Sequence, residues 1–190
     1  MAERQVSVDG RTYALPTPFL VAATQNPVEF EGTYTLPEAQ LDRFLMRITL
    51  PVPERDAEIE IVRRHAQGFD PRRMHSADLR AVATPAHLEA ASRAVESVRV
   101  DSDVAAYIVD LARATRGSAA VQLGVSPRGS TALMAVSRAW AWLSGRDFVT
   151  PDDVRSLAQV TLAHRIVLRS EAEMDGLDAA QVLDQAVRSV

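Results

Sequence analysis

Leu36-Pro37-Glu38-Ala39-Gln40-Leu41-Asp42-Arg43-Phe44 is the stretch on which the reading of this chain turns. Pro37 can open a short helix, because proline at a first helical position gives up only an N–H that has no intrahelical partner. Arg43 stands near the end of that helix. Its guanidinium stays charged, and its fork matches phosphate oxygens. Upstream, Phe19-Leu20-Val21-Ala22-Ala23 is a continuous apolar run, as expected of a strand covered on both faces. Thr24-Gln25-Asn26-Pro27 follows, so a neutral amide, Asn26, sits at the strand tip. Downstream, Leu45 to Val52 reads as a second strand with Met46, Ile48 and Leu50 on one face. At the start, Val6-Ser7-Val8 and Arg11-Thr12-Tyr13 flank Asp9-Gly10, a pair suited to a type I′ turn with positive φ at both central residues.

After Pro53 the periodicity becomes helical. Thr84-Pro85, Ser126-Pro127 and Thr150-Pro151 each place a hydroxyl at an N-cap and proline at the first helical position. Leu88, Ala91, Val95 and Val98 share one helical face, as do Leu133, Val136, Trp140 and Leu143, a set that Gly145 can terminate. A further helix beginning at Asp101 or Asp103 turns Val104, Ile108, Leu111 and Ala112 inward. The expected core holds Leu88, Val95, Ile108, Leu133, Trp140 and Leu157. Segments 68–73 and 117–124 read as flexible joints. The fold class is α+β, mostly α: an incomplete α/β layer over residues 1–53, then a helical domain over 54–190.

Composition narrows the function. Among 190 residues, 47% are hydrophobic, enough for a core, and the net charge of −4 argues against a dominant nucleic-acid-binding role. There is no Cys, which excludes disulfides, thiolate catalysis and Cys-bound zinc. The four His residues show no metal-ligand spacing, and His164 reads as a capping or surface residue. Met1 to Asp9 has no apolar core of a signal peptide, and no run approaches the roughly 20 residues of a membrane span, so the expected location is cytoplasmic. All 21 basic residues are Arg. A phosphate loop of the form G-x-x-x-x-G-K-[ST] needs a lysine, so this chain has none. No Asp-Glu pair ends an apolar run either.

Three residues carry candidate chemistry. Asn26 offers an amide donor and acceptor, so it can touch a phosphate oxygen and a water together; Asn26-Pro27 also reads as a plain turn after a strand. Arg43, at a helix end, can present its fork to phosphate oxygens outside its own element; it also reads as a surface Arg paired with Glu38, Asp42 or Glu54. Arg47 is a weaker candidate for the same role, because it falls where the chain enters a strand. Arg128 lies in the first turn of a long helix, where a cation opposes the dipole unless an anion approaches; it also reads as an exposed Arg with no ligand.

Taken in order, hairpin, strand-Asn, helix with Arg43, strand, then helices with Ser126-Pro127-Arg128, the chain resembles the MoxR family of AAA+ ATPases over about residues 1–170. The wording from Glu31-Gly32-Thr33-Tyr34 to Phe44, and Gly145-Arg146-Asp147-Phe148-Val149-Thr150-Pro151-Asp152-Asp153-Val154, is specific to that likeness. The resemblance implies that residues 5–13 are the hairpin before sensor 1, Asn26 is sensor 1, Arg43 is the arginine finger and Arg128 is sensor 2. It implies the C-terminal part of an AAA+ αβα core, with hairpin, two strands and a short helix, followed by a helical lid. For the complete protein it implies ATP and Mg2+, a ring homo-oligomer, usually a hexamer, and chaperone-like remodelling beside a von Willebrand factor A-domain partner. Walker A and Walker B would lie before Met1. This chain is therefore expected to bind no ATP tightly and to hydrolyse none alone. The alternative is a non-catalytic helical interaction module of AAA+ ancestry.

Overall fold

The computed structural model describes residues 5–25, 37–73 and 79–190. Strands β1 (Gln5–Val8) and β2 (Arg11–Ala14) form the expected antiparallel hairpin, with Val8 opposite Arg11. Asp9 and Gly10 both take positive φ, 50° and 76°, as a type I′ turn demands. Helix α1 (Glu38–Leu41) starts where Pro37 predicts, and the Pro37 carbonyl accepts from Gln40 and Leu41 N–H.

Neither expected buried strand forms. Residues 19–25 and 45–52 have no strand hydrogen bonding, and Leu20 and Leu50 are 88% and 86% exposed. A strand exists only through a neighbour that takes its N–H and C=O groups, and no described strand lies beside either run. Segment 45–52 is instead held from the helical side: Arg47 N–H donates to the Val160 carbonyl at 2.8 Å. Met46 packs on the helical core, while Ile48 and Leu50 are exposed.

Helices α2 (Arg55–Ala66) and α3 (Pro85–Glu96) follow, neither with a fully buried residue. The core belongs to α4 (Ser102–Gly117), α5 (Pro127–Leu143), α6 (Pro151–Leu162) and α8 (Ala179–Ser189), with Leu111, Leu133, Leu162 and Leu183 inaccessible at its centre. Between α4 and α5 lies β3 (Val121–Leu123), paired antiparallel with β4 (Val167–Leu168). A 3-10 turn (Ala163–Arg165) joins α6 to β4, and α7 (Ser170–Met174) leads to α8.

All three hydroxyl-Pro caps form, at Thr84, Ser126 and Thr150, and Asp101 caps α4. Gly145, at φ +74°, ends α5 in a Schellman motif, with Arg146 N–H bonded to the Ala141 carbonyl and Gly145 N–H to that of Trp142. The expected core needs correction at three residues: Val95, on α3, is only partly buried and lies outside the core cluster. Leu88 is 50% and Trp140 48% exposed. The inward face of α5 runs through Gly129, Ala132, Leu133, Val136, Ser137 and Ala141. Small residues there let neighbouring helices approach, so the stripe rotates away from Trp140 and Leu143. Segment 117–124 is no loose joint either. It carries β3, and a Cβ on Gly124 would stand 2.8 Å from the Arg116 backbone nitrogen, so strand and helix are in close contact there.

The wording from Gly145 to Val154 proves structural. Arg146 grips Asp153 with both Nη atoms at 2.7 and 2.6 Å. Asp153 also accepts from Thr150 N–H and hydroxyl, both at 2.8 Å, closing a capping box at the start of α6. Phe148 lies in a parallel bridge with Arg99.

Candidate functional site

Asn26 lies outside the described residues, as does the stretch Glu31 to Tyr34. Arg43 and Arg128 are described, and one carboxylate, Asp42, links their two elements.

The start of α5 is fixed from below. Thr115 is fully buried; its hydroxyl donates to the Ala112 carbonyl at 2.8 Å and accepts from Val125 N–H at 3.1 Å. This pins the residue just before the N-cap. Ser126 Oγ then accepts from Gly129 N–H at 3.4 Å and contacts Asp42 Oδ1 at 3.4 Å. Arg128, mostly exposed, reaches Asp42 Oδ2 at 3.5 Å. The cation opposing the dipole thus has a carboxylate partner. Chemically, Asp42 stands where an anion would approach α5. A pair this long and exposed contributes little, so a stronger anion can displace it.

Asp42 is held from its other side by Arg165. That side chain is 2% exposed, and all five of its N–H donors have acceptors. Nε donates to the Thr161 carbonyl at 2.9 Å. Nη1 donates to Asp42 Oδ1 at 2.7 Å and to the Asp42 carbonyl. Nη2 donates to the Phe44 carbonyl at 2.6 Å and more weakly to that of Leu45 at 3.4 Å. His164 adds Nε2, 3.2 Å from the Phe44 carbonyl. A carbonyl only accepts, so Nε2 bears the hydrogen and Nδ1, buried with no partner among the described residues, is bare. Burial lowers the His164 pKa, because protonation would place a charge at that buried nitrogen. His164 is therefore half-buried, and its Nε2 is spent on the Phe44 carbonyl rather than on a helix cap.

Arg43 projects from this clamped segment. It is exposed, and its side chain has no ion-pair or hydrogen-bond partner among the described residues. Asp42, one of its expected partners, is engaged by Arg165 and Arg128 instead. Arg47 is exposed as well. The arrangement offers one cation to an outside ligand and another, Arg128, to an anion at a helix N-terminus. No cluster of three or more potential metal ligands occurs among the described residues.

Residues 1–46 match the ATPase family associated with various cellular activities (AAA), and residues 113–186 match the AAA lid domain. Chaperone MoxR1 of Mycobacterium tuberculosis is 37% identical over all of this chain and 51% of its own length. Protein MoxR of Methylorubrum extorquens is 35% identical over all of this chain and 58% of its own. The chain belongs to the MoxR family of AAA+ ATPases. YeaC of Bacillus subtilis, an uncharacterized protein, is 42% identical, again over the whole chain and 58% of its own length. A solved candidate ATPase from Cytophaga hutchinsonii superposes with a TM-score of 0.88 at 34% identity, covering all of this chain and 58% of that one. The chain thus spans about half the length of its MoxR relatives. In MoxR terms, residues 113–186 match the lid, and the segment ending at Arg43 belongs to the part matched by the AAA profile.

Sequence reasoning missed Arg165. An arginine three residues past the end of α6 looks like a solvated cation, since Arg is rarely buried unless paired. The signal that was available is Asp42. Beside Arg43 it looks like a neighbour's counter-ion, and only the fold shows that a remote guanidinium claims it.

Proposed function

We propose that this chain forms part of a ring-assembling ATPase that remodels client complexes, with Arg43 acting on the nucleotide of an adjacent subunit. The observation that carries the reading is Arg43 itself, exposed and without a side-chain partner among the described residues, on a segment whose backbone is gripped by a buried guanidinium. Phosphoryl transfer spreads negative charge over the transferred group, and a fixed guanidinium stabilises it. In this reading Asn26 orients the attacking water, and Arg128 leaves Asp42 to meet the γ-phosphate, aided by the N–H groups at the start of α5. The donors present suit a terminal phosphate. With no P-loop lysine and no Walker B carboxylate in the chain, the grip on Mg2+ and on the β-phosphate is not built from its residues. ATP and Mg2+ then belong to the complete assembly, a cytoplasmic homo-oligomeric ring, with a von Willebrand factor A-domain protein as candidate partner.

For the chain alone, calorimetry with millimolar Mg-ATP should show no tight binding; micromolar affinity would contradict this. For a ring that carries this chain together with a P-loop, Arg43→Ala should lower turnover by roughly 10³–10⁵-fold. Nucleotide affinity should change far less. Mixing that variant with subunits whose P-loop is broken but whose Arg43 is intact should restore part of the rate. Normal turnover in Arg43→Ala rejects the finger and moves attention to Arg47.

A further inference from the structure

Arg165 belongs to the lid in sequence, yet most of its donors point at the segment that carries Arg43. Its Nη atoms hold the carbonyls of Asp42 and Phe44, the residues on either side of Arg43, and the Asp42 carboxylate as well. Its stem crosses α5 at Gly129, where an added Cβ would meet Arg165 Cδ at 3.2 Å and Val125 Cγ1 at 2.6 Å. The missing side chain at Gly129 therefore makes room for the guanidinium to reach across. Asp42 in turn contacts Ser126 and Arg128 at the start of α5. One buried guanidinium thus ties the backbone around Arg43 to the lid turn after α6, and one carboxylate ties it to the helix end that faces an anion.

We propose that Arg165 is a positioning residue for Arg43: the lid aims the finger, through the carbonyls of Asp42 and Phe44 and the carboxylate of Asp42. This rests on the reading of Arg43 as a finger acting in trans. A guanidinium is required because its fork donates to two flanking carbonyls and a carboxylate at once. An ammonium keeps the charge but lacks the fork. Lid rotation driven by an anion at Arg128 would then move Arg43 with it.

The test is Arg165→Lys in a ring that carries this chain together with a P-loop, with Arg43→Ala in parallel. Misplacement by about 1 Å costs on the order of 10²-fold, so turnover should fall by about that factor with nucleotide affinity nearly unchanged. The decisive readout is mixing. Arg165→Lys subunits with an intact P-loop should regain rate when combined with subunits whose P-loop is broken and whose Arg165 and Arg43 are intact, as Arg43→Ala subunits do. A second readout is amide exchange at residues 38–45, which should quicken in Arg165→Lys while α4 and α5 stay protected. A lost rate that mixing does not restore, or unchanged exchange at 38–45, overturns the proposal. If Arg43→Ala turns over normally, the finger reading itself has failed, and the proposal with it. Should Arg165→Lys not fold, Asp42→Asn tests the carboxylate contact alone: since the carbonyl grip remains, turnover should fall and exchange at 38–45 quicken by less than in the full loss of the clamp, and no change in either overturns the proposal.

Discussion

Asp153 shows how one side chain can be given up to architecture. The Arg146 fork holds its carboxyl down to about 2, and the Thr150 N–H and hydroxyl help, against the opposing effect of burial. A pKa depressed on folding means stability that is present above the ordinary Asp value near 4 and lost as pH falls towards 2. The contribution is about 2 kcal/mol. Asp153→Asn keeps a cap acceptor but loses the charge. Thermal or denaturant unfolding should therefore find it less stable than wild type by about that amount at pH 7, with the two converging near pH 2. A gap independent of pH would place the effect in packing. Asp42 is the opposite case. Its partners sit on two elements remote in sequence, the 3-10 turn after α6 and the start of α5, and that makes it a connector rather than a cap.

At the scale of elements, the glycines at the two ends of the 117–124 segment separate chain flexibility from close packing. An added Cβ at Gly117 meets nothing within 4 Å, whereas at Gly124 it stands 2.7–2.9 Å from Arg116 atoms, two of them backbone. Backbone cannot swing aside as a side-chain tip can. Gly124→Ala should cost about 1–3 kcal/mol, the range of overpacked sites. Gly117→Ala should be neutral or stabilising by up to about 1 kcal/mol, through the unfolded chain. Melting both variants side by side checks this. Equal effects would mean that β3 does not seat against the end of α4 as described. Displacing β3 would also disturb Val125, and through it Ser126 and Arg128.

At the scale of the molecule, protection should divide unevenly. The fully buried apolar residues run from Val98 to Ala186, and α2 and α3 contribute none. Few buried contacts mean low local stability. Hydrogen exchange on the isolated chain should find slow amides in α4, α5, α6 and α8, and fast ones over 5–25, 48–52 and α2. Residues 42–47 should be intermediate, since Arg165 and the Val160 carbonyl hold them. Uniform strong protection over 5–66 in a monomer would show that this part is covered in a way its exposure does not suggest. Phe19, Leu20, Ile48 and Leu50 are each exposed, and exposed apolar surface promotes association.

Much of this was legible from residue order alone. The Asp9-Gly10 turn, the four N-caps, the stop at Gly145 and the short helix at Pro37 are local devices, and each was readable because its cause lies within a few residues. The family was legible for the same reason, since its wording is a run of such devices. Whether the runs at 19–23 and 45–52 form strands was not, because a strand takes its hydrogen bonds from elsewhere. Nor was the inward face of α5, which small residues and their neighbours decide. The clamp on the Arg43 segment was least legible of all. Asp42 and Arg165 lie 123 residues apart, and nothing local to either marks it as a partner. Burial of a charge becomes tolerable only when a distant group completes its hydrogen bonds, and that pairing exists only in the folded chain.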